Sequence, residues 1–105
     1  MKPRTRARGI ALQVLYEIDI VGHPMSRVLQ TSLDEAALEP TLSDFAGQIV
    51  TGVRQLIETL DSFIAQHAPE WPLNQVATID RNILRIALWE LSVYRQTPIL
   101  QTLKE

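Results

Sequence analysis

Cysteine is absent from the chain, and with it any disulfide framework and any thiolate metal site. Only two histidines occur, His23 and His67, in different segments with no ligand spacing around them, too few for a histidine-based metal centre. The four glycines form no phosphate-cradling loop. No Ser/His/Asp set and no paired inward carboxylates are present either. Together these absences argue against an enzyme and against a bound cofactor. No apolar run approaches the roughly 20 residues that cross a bilayer. The N-terminus is basic but lacks the apolar core of a signal peptide, because Arg8 and Gly9 lead into an amphipathic pattern. The expected location is cytoplasmic. No segment alternates with period two for long enough to build a sheet.

What remains is a chain of 105 residues, 46% hydrophobic and 21% charged. Those are the values of one globular domain with a modest core. The net charge of −2 hides an asymmetry. Lys2, Arg4, Arg6 and Arg8 precede the first acid, Glu17, while the rest of the chain is acidic. A basic arm on an acidic body points to a local anion contact rather than a general nucleic-acid coat.

The most apolar stretch runs from Ile79 to Arg95 and contains neither Gly nor Pro. On a helical wheel Leu84, Ala87, Leu88, Leu91 and Tyr94 fall together, and Ile83 and Ile86 widen the arc. Glu90 lies inside that arc, where it is read as structural. Arg81, Arg85, Ser92 and Arg95 form the opposite, solvated strip. So wide an arc predicts a central helix wrapped by neighbours in an all-helical bundle. Asp80 is the expected N-cap, because its carboxylate can accept from the free N–H groups of the first turn.

Ahead of it, residues 3–21 read as a first helix. Ala7, Ile10, Ala11, Val14, Leu15 and Ile18 make its apolar stripe, Pro3 suits its first turn and Gly22 its end. The arginines in its first two turns oppose the helix dipole, which favours acids there. An unfavourable local choice with no evident structural gain suggests function; the competing reading is a solvated basic terminus. Tyr16 lies two turns beyond Arg8, about 80° round the helix. It can offer a stacking face to a base while the arginines hold phosphates. Its alternative is a partly buried core aromatic with a surface hydroxyl.

Pro24 opens a short second helix, Met25 to Leu33, with Val28, Leu29 and Leu33 inward. Asp34 to Pro40 is expected as loop or frayed helix, with Thr41 and Ser43 as candidate N-caps of the third helix. From Leu42 to His67 the residues Phe45, Ile49, Val53, Leu56, Leu60, Phe63 and Ile64 step by three and four. Gly52 within this run predicts a kink or the close passage of a neighbouring helix, and a break is expected near residues 53–57. His67 is expected to be a dipole-compatible end residue. Trp71 is expected to plug two helical layers, residues 73–78 to form a short helical turn, and Tyr94 to Pro98 to close the central helix.

These residues closely resemble the NusB family of bacterial transcription antitermination factors. The resemblance rests on three parts. They are the basic start running into Leu15-Tyr16; Phe45 with Ile49-Val50-Thr51-Gly52-Val53 and Leu60-Asp61; and Trp71, Ile79-Asp80-Arg81, Ile83 through Leu91 and Pro98. It implies an all-α fold of two small packed bundles and a role as a non-catalytic RNA-binding adaptor. With ribosomal protein NusE, such proteins bind boxA RNA and help the RNA polymerase elongation complex read through terminators, notably in ribosomal RNA operons. The resemblance carries RNA contact to Lys2, Arg4, Arg6, Arg8 and Tyr16, and contact with NusE to Asp80 and Arg81. Thr5 interrupts the arginine run, and Asn74-Gln75 stand where an Asp-Arg pair is common. The family pattern continues through further C-terminal helices beyond Lys104-Glu105. That leads to an expectation of low stability or self-association through uncovered apolar surface. NusB-like domains also front ribosomal RNA cytosine methyltransferases, which is the alternative reading, beside a helical module that contacts protein only.

Overall fold

The computed structural model describes residues 2–70, 72 and 76–94. Five helices account for most of them: α1 (Pro3–Val21), α2 (Met25–Ala36), α3 (Pro40–Gln55), α4 (Ile57–His67) and α5 (Thr78–Tyr94). No strand occurs among the described residues, so the all-α expectation holds. The chain divides into two compact units, Met1–Thr51 and Gly52–Glu105, with the boundary inside α3.

In the first unit α1 packs on α2. Ala7, Ala11, Val14 and Leu15 form the buried edge of α1, as the stripe predicts. Gly22 ends the helix with φ 79° and gives its N–H to the carbonyls of Glu17 and Ile18. That left-handed conformation is easy for a residue without Cβ. Helix α2 runs past Leu33 to Ala36. The extension contains no Gly or Pro, and the Gln30 side chain donates to Asp34 at 2.8 Å, one turn on. Neither Thr41 nor Ser43 caps α3. The helix starts at Pro40, and the Glu39 carbonyl accepts from Leu42 and Ser43. Proline sets the start here because its ring fixes a helical φ where no N–H is needed.

In the second unit α4 packs on α5. The break between α3 and α4 falls at Leu56 (φ −108°, ψ 16°). His67 closes α4, its Nδ1 lying 3.0 Å from the Phe63 carbonyl and its ring stacked on Phe63. Trp71, Asn74, Gln75 and the Tyr94–Pro98 closure lie wholly or partly outside the described residues, as do Arg95 and everything after it.

Two expectations for α5 are corrected. Asp80 is not the N-cap, because the helix already begins at Thr78 and places Asp80 in its first turn, where its charge still suits the dipole. The solvated strip is also misplaced. Asn82, Arg85, Ile86, Trp89 and Ser92 are buried, whereas Ile83 is 48% exposed. Leu84, Leu88, Glu90 and Leu91 are half-buried and Ala87 is exposed. The polar residues go inside because each finds a partner. Arg85 Nε and Nη2 donate to the two carboxylate oxygens of Asp61 on α4, at 2.8 and 2.7 Å. Its Nη1 donates to Asn82 Oδ1 at 3.0 Å. The Ser92 hydroxyl donates to the Trp89 carbonyl. Paired in this way, buried polar groups avoid most of the desolvation penalty that drives them to water.

Gly52 is where a neighbouring helix passes close, as its place in the pattern suggests. A Cβ built there would overlap the Trp89 indole at Nε1 and Cε2 and meet Cζ2 at 2.6 Å. Helix propensity alone favours Gly52→Ala by about 1 kcal/mol. Overpacking against a rigid, buried indole costs typically 1–3 kcal/mol or more, and an overlap of this depth belongs at the upper end. Gly52→Ala is therefore expected to lose about 1–2 kcal/mol of stability net, measured by urea unfolding. A gain would show that Trp89 can step aside.

Candidate nucleic-acid interface

The three arginines at the start of α1 are held by other parts of the first unit. Lys2 occupies the N-cap position of α1 and makes no side-chain cap, and no acid lies in the first turn. Pro3 at the head of the helix fixes the direction in which the arm enters it. From there the arginines divide by helical phase. Arg4 and Arg8, one turn apart, both reach Phe45 on α3, with guanidinium carbons 4.6 and 5.6 Å from the ring centroid. Arg6, on the other side of the helix, donates from Nη2 to the Ala36 carbonyl at 2.9 Å.

Each contact has a physical cause. The face of a phenyl ring carries partial negative charge and attracts a cation within about 6 Å. The Ala36 carbonyl is the last of α2, one of the groups a helix leaves unbonded, and it sits at the negative end of that helix dipole. Ala37 turns left-handed at φ 50° to end α2 there. The dipole penalty at the head of α1 thus has a structural compensation that no local sequence pattern reveals. The arginines pack against α2 and α3 instead of trailing into solvent. Phe45 is the residue that sequence reasoning places only in the core. Its spacing from Ile49 gives the burial correctly, but nothing local connects it to residues some forty positions earlier.

Arg4 and Arg6 remain exposed and Arg8 is half-buried. Tyr16 is 42% exposed on the same helix, about 12 Å along the axis from Arg8. That exposure leaves part of the Tyr16 ring open to solvent and part covered, which is compatible with both readings of the residue. The cations and the tyrosine thus lie on one helix at a spacing that an extended polyanion carrying aromatic bases can follow.

Asp80 and Arg81 are on α5 and belong to the second unit. Asp80 is exposed beside a shallow hollow lined by Val76, Ala77, Ile83 and Leu84. Arg81 Nη2 lies 3.4 Å from both the Val76 carbonyl and Thr78 Oγ1, and its buried Nε has no partner. Among the described residues no group of His, Asp or Glu is placed to hold a metal ion. His23 instead approaches Glu17, at 3.6 Å. No helix among the described residues is long and apolar enough to cross a membrane.

The profile of the NusB family matches residues 5–105. The chain belongs to the NusB family. It is 38% identical over 104 residues to the transcription antitermination protein NusB of Roseiflexus castenholzii, covering 97% of this chain and 73% of that protein. The Bacillus subtilis protein of the same name is 35% identical over the full chain, which spans 76% of it. Among solved structures, a chain in the crystal structure of a plectonemic RNA supercoil superposes with a TM-score of 0.79 at 25% identity. That match covers 98% of this chain and 75% of the other. This NusB-family chain is accordingly a transcription antitermination factor, and the reading as the front of a methyltransferase is not favoured.

Proposed function

We propose that the chain is a non-catalytic adaptor that binds boxA-type single-stranded RNA together with ribosomal protein NusE, and so helps the RNA polymerase elongation complex read through terminators. The observation that carries this reading is the cationic head of α1, held on Phe45 and on the end of α2, with exposed Tyr16 on the same helix. Arg4, Arg6 and Arg8, with Lys2, contact phosphates, and Tyr16 stacks on a base. Asp80 and Arg81 contact NusE. The exposed apolar side chains of Ile79 and Ile83 beside them supply area that a protein partner can bury.

The test is titration of fluorescently labelled boxA-type RNA with the protein, alone and with NusE, at several salt concentrations. Binding is expected to weaken as salt rises and to tighten with NusE. Tyr16→Ala is expected to weaken it by about 1–3 kcal/mol, with Tyr16→Phe close to unsubstituted, if a base stacks there. Binding indifferent to salt, or identical for boxA and a scrambled RNA with NusE present, counts against the proposal.

A further inference from the structure

We infer that Phe45 is a positioning residue for RNA: its ring holds Arg4 and Arg8 in the arrangement that grips phosphate. The inference rests on the RNA-binding reading above and goes further by assigning a role to a buried side chain that touches no nucleotide. Phe45 is 5% exposed, so a base cannot stack on it as the protein stands. Yet two guanidinium groups from another helix lie within 6 Å of its ring centre. One aromatic ring thus serves two cations of the same arm.

The physical consequence is pre-organisation. A free arginine side chain has large rotamer freedom, which it loses on gripping a phosphate. Resting the guanidinium on an aromatic ring removes part of that freedom beforehand. The fork of N–H donors at the edge of a guanidinium is the geometry that matches a phosphate. Two cations one helical turn apart also repel each other, and the negative charge of the ring face moderates the repulsion. A core leucine at position 45 would fill similar space but would do neither.

The experiment uses the whole chain and a labelled boxA-type single-stranded RNA. Phe45→Leu is expected to weaken binding by at most about 5- to 30-fold, the equivalent of two exposed cation–ring contacts. The salt slope should stay unchanged, because both cations are still present. Since Phe45 is buried, a parallel series replaces it with mono-, di- and trifluorinated phenylalanine, which keep the ring's shape while draining its face of charge. Affinity that falls stepwise with fluorine count, at unchanged melting temperature, supports the inference. Affinity indifferent to fluorination, while the unsubstituted protein binds RNA normally, overturns it and leaves the RNA reading intact. Absence of salt-dependent RNA binding by the unsubstituted protein sinks both.

Discussion

Asp61→Ala is expected to destabilise the protein by about 3–5 kcal/mol, the usual cost of stripping a buried charge of its partner. Arg85 is 5% exposed at its side chain and directs three donors inward, two of them to Asp61. Without the carboxylate, the guanidinium loses both of these charge-assisted bonds and keeps the one to Asn82. Asp61 itself is 32% exposed, so water can enter the vacated space, which places the loss toward the lower end of that range. For a domain of this size, even that is a large fraction of its total stability. Asp61→Asn keeps one acceptor and should lose less. The double replacement Asp61→Leu with Arg85→Met removes both charges and should recover much of the loss, because a buried ion pair is often no better than apolar residues of equal size. Chemical unfolding of the four proteins checks the order. If Asp61→Ala costs under about 1 kcal/mol, the pair is behaving like a surface salt bridge.

Replacing Arg4, Arg6 and Arg8 together with Ala is expected to cut RNA affinity by on the order of 10- to 100-fold at moderate salt. The salt dependence carries more information than the affinity. Each phosphate contact to a single strand contributes about 0.7 to the slope of log K against log salt. If all three arginines reach phosphate, the slope becomes shallower by about 2; if Arg6 is fully engaged with Ala36, it changes by about 1.4. Arg6→Ala alone separates the two cases. A bound Arg6 uses one donor of five for Ala36, so it retains donors for RNA and some slope change is expected. The same substitution also removes the clasp on α2, so each titration should be paired with a melting curve. A triple variant that binds RNA as well as the unsubstituted protein would leave these arginines with a structural role alone.

The regular parts of the molecule are legible in the sequence for simple reasons. Pro3 and Gly22 bound α1 because each has a backbone constraint that acts locally, and the stripe between them needs only its own period. Phe45, Ile49 and Val53 announce α3 in the same way. The errors come where the deciding partner is distant. Nothing near Arg85 in the sequence reveals that Asp61 waits for it on another helix, so a wheel assigns it to water. The buried edge of α5 is misjudged for that reason, and Asp80 is taken for a cap because the start at Thr78 carries no strong local signal. At the candidate interface, the arginines and Tyr16 are visible as a charge pattern with an aromatic beside it. Phe45 is visible only as core, because a ring serving cations from another helix has the same spacing as one that does not.

The slot at Gly52 also limits how this chain can change over time. A side chain at position 52 and a full indole at position 89 compete for the same space, so position 52 does not change freely while the tryptophan stays. A lineage that acquires Ala or Ser at 52 gains most if residue 89 has already shrunk, whereas one that keeps the tryptophan loses stability with any side chain there. Covariation between these two columns, 37 positions apart, is the trace such a constraint would leave.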